Sequence, residues 1–436
     1  MTIDHRSASS SLQQLLATHT AAELLAKLAP KRTPLAPRVP SGGIDGEAIA
    51  KRWAALAGHE TSQRVLLDEA KLDGASVYAR NVENFIGTVN VPVGVAGPLR
   101  VNGTYAQGDF YVPLATTEAT LVASYSRGAL LISEAGGGTA IVLREGVSRA
   151  PGFAFESLHG VGQFVAWAVG ALEDLRRVAE ATTRHGKLRD MRVNIEGNHV
   201  YLIFDFTTGE AAGQNMVTIA TQAICAFIDE HSPVKPTYAF VEANHSGDKK
   251  ASLQSFLSGR GRSVTCECIV PAALVEKRLH TTAQMMANYW AMSAMGGVLS
   301  GTIGVQGHYA NGLAALYLAC GQDVACVAES AVGVTRFEVT GDGDLYASVT
   351  LPNLIVGTVG GGTSLPSQRA CLDLLGLTGP GSANALAEVC AAVALGGELS
   401  IVGALVAGQF AGAHQRLARG VTAGGSSSTT PNASKP

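Results

Sequence analysis

Charge is scarce in this sequence. Only 15% of its 436 residues are charged, and 35 acidic against 32 basic residues leave a net charge of −3. No basic excess is available to neutralise a phosphate backbone, which excludes nucleic acid as a partner. The two signs are interspersed and form no charged tail, so nothing marks a membrane surface. Cysteine is sparse as well: there are seven, an odd number, with no Cys-x-x-Cys pair. That pattern argues for a reducing compartment and against a disulfide or zinc framework, and no metal is expected. The opening MTIDHRSASSSLQQ lacks the apolar core of a signal peptide, so a soluble, cytoplasmic protein is expected. A dinucleotide fingerprint is missing too. Gly160-Val161-Gly162 comes nearest, but it lacks the third glycine and follows no convincing strand. No repeat of fixed period is present.

What the chain has is glycine, 51 residues of it, in a composition that is 47% hydrophobic. This describes a globular protein with close backbone packing, long enough for two or three domains. Residues 1–35 carry a helical period, 32–44 read as a Pro/Gly linker, and a second helix is expected over 46–58. Two β-rich runs surround Glu196-Gly197-Asn198 within 190–207, a hairpin signal. Helices at about 160–185 and 215–231 flank it, and PTYAFVEA adds a strand. The order fits a small α+β unit, a split β-α-β sandwich. The most membrane-like stretch, 389–413, contains Glu398, Gln409 and several glycines. A packed interior helix pair accounts for it better than a bilayer span. The end of the chain, 421–436, is of low complexity and expected to be disordered.

Several segments suggest chemistry, each with an ordinary explanation beside it. Glu118, in PLATTEATLVASYSRG, sits among small and apolar residues where a helix begins. It is either a carboxylate favoured by the helix N-terminus or an acid whose pKa is raised by apolar surroundings, fit to donate a proton. In VEANHSGDKKAS, Lys249 and Lys250 stand side by side after what reads as a buried strand; a solvated turn is the bland reading. Asp323, ending the apolar run ALYLACGQDVA, reads by itself as a cap. His414, near the end of the apolar C-terminal helix, either compensates a helix dipole or protonates a leaving group near neutral pH. Glycine loops at 206–215 and 351–368 precede expected helices. Such loops let a planar or anionic ligand approach the backbone, and they are also common turns.

Taken in order and approximate spacing, TTEATLVAS, DKK, GQD, GTVGGGT and the terminal histidine resemble the class I pattern of the 3-hydroxy-3-methylglutaryl-CoA reductase family. ENFIGTVNVPVGVAGPL resembles its dimerisation and substrate motif, and the resemblance covers about 70–436 without a membrane anchor. It implies an α+β fold: a large mixed helical/sheet substrate domain, an inserted small ferredoxin-like NADP-binding domain and an N-terminal helical segment. The expected divisions are 1–80 for that segment, 81–149 and 253–420 for the large domain, 150–241 for the small one and 242–252 for an active-site loop. The implied reaction is NADPH-dependent reduction of an acyl-CoA thioester to a primary alcohol, giving mevalonate and CoA from 3-hydroxy-3-methylglutaryl-CoA. By resemblance, Lys249 holds the oxyanion, Glu118 donates a proton, Asp323 links to both, and His414 protonates the CoA thiolate. Arg149, Glu242, Asn244, Asp248, Lys250 and Asn311 would bind substrate. Ser124, Ser126, Arg127 and His308 would bind CoA. Thr183, Arg184, Glu210, Gly213, Gln214, Asn215, Met216 and Gly360, Gly361 and Gly362 would hold NADPH, with Arg184 on the 2′-phosphate. At least a homodimer is implied, with active sites between subunits.

The match also departs from the pattern. Glu242 falls where the family has a serine, and Glu210 where it has an aspartate. A lysine expected upstream of SAMGG is missing, and a short insertion is inferred around 297–306. One cation lost and one carboxylate gained would disfavour a carboxylate-bearing acyl group. The alternative is therefore a family relative that reduces a neutral or cationic acyl thioester in secondary metabolism.

Overall fold

The computed structural model describes residues 5–28, 30, 36, 38–56 and 58–408. The chain falls into two compact units that divide between Val89 and Asn90. In the first, the periodic N-terminal stretch forms two helices, His5–Thr18 and Ala21–Leu28. A further helix, Gly46–Ala55, begins where Asp45 accepts the Ala48 N–H at 2.9 Å. It stops at Ala55, short of the expected 58. Its Ile49 and Trp53 pack with Ala75 and Phe85 as a small core. Arg52 is buried with them, and its guanidinium donates to the carbonyls of Pro40 (3.1 Å), Phe85 (3.0 Å) and Gly43 (2.6 Å). A buried charge is tolerated here because its donors are matched.

The second unit holds two sheets. Its strands are β1 (Val93–Gly103), β2 (Gln107–Ala115), β3 (Gly138–Arg144), β4 (Val147–Arg149), β5 (Gly152–Ala154), β6 (Lys187–Glu196), β7 (His199–Thr207), β8 (Tyr238–Phe240), β9 (Arg262–Val270), β10 (Gly304–Val305), β11 (Gly333–Val339) and β12 (Leu345–Leu354). Seven of them form one sheet in the order β10-β11-β12-β9-β3-β1-β2. In the other sheet, β4 pairs with β7 along 204–206 and β5 pairs with it along 199–201. The two are one line of chain, broken at Ala150-Pro151, where proline cannot donate to a ladder. Counted so, the order is β8, β4/β5, β7, β6, antiparallel throughout. Helices Leu158–Gly170 and Leu172–Ala181 precede β6, and Gln214–His231 follows β7. That is the β-α-β-β-α-β order of a ferredoxin-like unit, over a core that includes Phe153, Phe164, Phe204 and Ile224. The hairpin closes as expected, with Glu196 opposite His199 and Gly197 at φ +54°. The strand before the double lysine is not buried, however. As an edge strand paired on one side only, β8 leaves Tyr238 and Phe240 exposed.

One helix organises the large sheet. Ser382–Val406 has the length and apolarity of a membrane span, yet 83% of its apolar window is buried inside the fold. It packs against β9, β12 and β3 and against the helices Leu121–Glu134 and Tyr309–Ala319. Surrounded on all sides, it needs no polar face. The expected interior helix pair over 389–413 is therefore a single helix as far as Val406. Residues 409–436, with His414 and the 421–436 tail, lie outside the described residues.

Candidate active site

Two glycine loops meet over a cavity of about 460 Å³. One precedes the helix Gln214–His231, with Gly213 at φ +80° as its N-terminal cap residue. The other is 357–363, where Gly360 and Gly361 have positive φ and open space where a side chain would stand. The loops are joined by a short parallel bridge between Ala211 and Val359. Gln322 locks the second loop from behind. Its amide accepts the Gly357 N–H at 2.8 Å and donates to the Gly357 carbonyl at 2.9 Å. Gly213, Gln214, Asn215, Met216 and the Gly360–Gly362 triplet all line the cavity, as does Asp323. Bare backbone beside a cavity of this size suits a flat ring and an anionic tail.

Asp323 acts at two points. Its Oδ1 accepts the Ala325 N–H at 3.1 Å, the cap role its sequence context suggests. Its Oδ2 lies 2.8 Å from the Lys249 Nζ. That hydrogen bond holds the Lys249 pKa above the ordinary lysine value, so the ammonium stays charged. Lys249 itself occupies left-handed backbone, φ +55°, just after Gly247 at φ +75°. Lys250 is not part of this pair; its exposed ammonium donates to the Asp248 carbonyl at 2.8 Å.

Behind the double lysine lies a buried ionic cluster. The Arg149 guanidinium donates through Nη1 to Glu242 at 3.3 Å and to Asp248 at 3.0 Å, and through Nη2 to the Gln214 carbonyl. Glu242 also accepts from the Ala150 N–H and the Ser246 hydroxyl. Arg260 pairs with Asp248 at 3.0 Å and with Glu329 at 3.2 Å. Glu329 is fully buried, and that burial raises its carboxyl pKa. The sequence reading missed Arg260 and Glu329. The one signal for Arg260 was Gly259-Arg260-Gly261-Arg262, where the glycines let the chain press against the backbone of 352–354 and carry arginine inward; Glu329 had none.

Other expected residues are placed differently. Glu118 is exposed on the turn before the helix Leu121–Glu134, so this chain does not provide the apolar enclosure expected of it. Among the described residues no hydrogen bond or ion pair joins its carboxylate to Lys249 or Asp323. Glu210 does not face the cavity. Its carboxylate accepts the Gly381 and Ala383 N–H groups at 2.6 and 2.7 Å, capping the central helix whose own cap residue is a glycine. The ring of His308 is also committed, with Nδ1 3.2 Å from the Tyr125 hydroxyl and Nε2 3.2 Å from the Gly397 carbonyl. Ser124 and Arg127 both bond to Ser400 on the central helix. Partial burial lowers the Arg127 pKa. Ser126 is half-buried, while Asn244 and Asn311 are exposed. Thr183 donates to the Met216 sulfur at 3.1 Å and accepts the His185 and Gly186 N–H groups. Arg184 beside it is exposed and makes no ion pair among the described residues.

Comparison with known proteins adds a consistent set of likenesses. A family model described as hydroxymethylglutaryl-coenzyme A reductase matches residues 48–419. The 3-hydroxy-3-methylglutaryl-coenzyme A reductase of Aeropyrum pernix is 46% identical over 356 residues, covering 80% of this chain and 84% of the relative. Its counterpart from Pyrococcus horikoshii is 44% identical over 356 residues, covering 80% and 86%. Among solved structures, the class II reductase of Streptococcus pneumoniae bound to NADPH in open conformations is similar with a TM-score of 0.62. It is 20% identical and covers 81% of this chain and 98% of that one, a likeness of fold alone.

Proposed function

Because the chain belongs to the hydroxymethylglutaryl-coenzyme A reductase family, we propose that it reduces 3-hydroxy-3-methylglutaryl-CoA to mevalonate, releasing CoA. The stoichiometry is two NADPH and two protons for one thioester, since the carbonyl carbon must accept two hydrides to become a primary alcohol. The glycine cradle fits NADPH: open backbone at Gly360 and Gly361, a cavity of about 460 Å³ and, for its phosphate, an exposed Arg184 with no ion pair among the described residues. When bound, NADPH supplies hydride. Thr183, Arg184, Gly213, Gln214, Asn215 and Met216 would hold it against the 360–362 loop.

The observation that carries the reading is the Lys249–Asp323 pair, with Asp323 in the cavity wall. Thioester reduction puts negative charge on the carbonyl oxygen, and an ammonium already fixed in place offsets that charge without reorganisation. Asp323 keeps Lys249 protonated and aimed. Glu118 then donates the proton that completes the alcohol, reaching the site from a second subunit of a homodimer. His414 protonates the departing thiolate, which would otherwise recapture the aldehyde. A second reading, a neutral or cationic acyl group, draws on one fact only: Arg149 is already held by Glu242 and Asp248.

The test is Lys249→Ala, assayed by NADPH oxidation with 3-hydroxy-3-methylglutaryl-CoA. Turnover should fall about 100-fold or more, as for loss of a main oxyanion donor, while NADPH affinity stays near that of the parent. Unchanged turnover in a folded variant would sink the assignment.

A further inference from the structure

Lys249 is held at both ends by one stretch of chain. Asp323 takes its Nζ at 2.8 Å, and Glu329, six residues further on, takes its backbone N–H at 3.0 Å. Between these contacts Lys249 adopts φ +55°, a conformation that a residue with a side chain visits only under constraint. Glu329 is itself fixed. Its other oxygen accepts the Asn353 amide at 2.8 Å and faces the Arg260 Nε at 3.2 Å, and the residue has no exposed surface. A buried ion pair of this kind contributes little to stability against an apolar replacement, so its role must be sought in what it orients.

We propose that Glu329 is a positioning residue: its buried carboxylate clamps the Lys249 backbone in the left-handed conformation that delivers the ammonium to Asp323. Arg260 and Asn353 hold the carboxylate, and Asp323 and Glu329 together set both the direction and the charge of Lys249. The proposal rests on the reading of Lys249 as the oxyanion donor, but the clamp can be tested apart from it. The charged groups facing the lysine are the carboxylates of Asp323 and Asp248, and each favours its protonated form, while burial keeps the Cys326 thiol neutral. Releasing the backbone removes the ammonium from the strongest of these, Asp323.

The first measurement uses the intact protein. The Lys249 amide should exchange with solvent at least 100-fold more slowly than a free loop amide, because its acceptor is a buried carboxylate. Exchange at the free-loop rate overturns the clamp whatever the variants do. The second measurement compares the parent with Glu329→Gln and Glu329→Asp, each checked for cooperative unfolding. Glutamine keeps an acceptor but presents a second donor to Arg260 and Asn353, and aspartate is one methylene short. In either folded variant an amine-acylating reagent at mildly alkaline pH should label Lys249 about three-fold or more over parent, relative to Lys250 as internal control, because an unpaired amine is less protonated. Turnover should drop about ten-fold or more with the Michaelis constant for NADPH within about two-fold. An unchanged labelling ratio overturns the proposal, even where turnover falls, since that would be a structural loss only. If instead labelling and exchange behave as expected while Lys249→Ala retains its activity, the clamp stands and the oxyanion reading fails.

Discussion

At the scale of single residues, the site depends on which charges are already engaged. Arg149 is only 6% exposed, and its guanidinium meets two carboxylates before any substrate arrives. A substrate carboxylate approaching it would be repelled by Glu242 unless a proton or cation intervened. Glu242→Ser should free one edge of the guanidinium while Asp248 keeps it paired. The Michaelis constant for 3-hydroxy-3-methylglutaryl-CoA should then fall about ten-fold relative to an uncharged acyl-CoA, equivalent to about 1.4 kcal/mol. If the parent already works efficiently and Glu242→Ser weakens it, Glu242 belongs to the ordinary binding site. This pairing was only half legible in the sequence. Glu242, Asp248 and Lys249 could be singled out because they share one short loop. Glu329 and Arg260 could not, because neither lies in that loop: Glu329 meets the Lys249 N–H from 80 residues along the chain, and Arg260 reaches Asp248 only through the fold. Glu210 misled for the same reason: its neighbours along the chain are glycine-loop residues, while its partner in space is the start of the central helix.

Among the elements, glycine explains how the helices of the large sheet fit. Gly128 on Leu121–Glu134 lies against Gly396 on the central helix, so closely that a methyl at 128 would overlap the Gly396 carbonyl. Gly162 also lies within a helix, but nothing stands within 4 Å of the place its methyl would occupy. The same substitution should therefore have opposite signs at the two sites. Gly128→Ala must push two helices apart and should cost about 1–3 kcal/mol. Gly162→Ala gains helix propensity without contact and should add about 0.5–1 kcal/mol. Urea unfolding of both variants checks the pair, and equal effects would mean that the helices are not in backbone contact. Periodicity made the hairpin of β6 and β7 and the helices around it legible, since each shows its own pattern over several residues. It could not distinguish the one long helix Ser382–Val406 from the start of a pair, because a helix buried on every side shows no polar period. It also misjudged β8, whose apolar residues suit a buried strand but lie at a sheet edge.

For the whole molecule, one chain does not by itself bring together the groups proposed for the chemistry. Lys249 and Asp323 are in contact, while Glu118 is exposed and bonded to neither. The helix Ala283–Ser300 leaves Met292, Met295, Val298 and Leu299 between 59% and 86% exposed, an apolar strip of the kind that marks a protein interface. In the proposed homodimer with shared sites the strip would be covered, and Glu118 of one subunit would meet Lys249 of the other. Such sharing predicts complementation. Glu118→Gln and Lys249→Ala should each be nearly inactive alone, since every site in either homodimer lacks one group. Unfolded together and refolded, half of the dimers are mixed, and one of the two sites in each mixed dimer carries both native residues. Activity should recover to about a quarter of the parent's, the proportion fixed by two-fold symmetry. Refolding each variant separately before mixing is the control, and it should recover nothing until subunits exchange. If co-refolded mixtures stay as inactive as their parts while sedimentation shows dimers, both groups serve the same subunit's site. Glu118 would then have to reach Lys249 by movement within one chain.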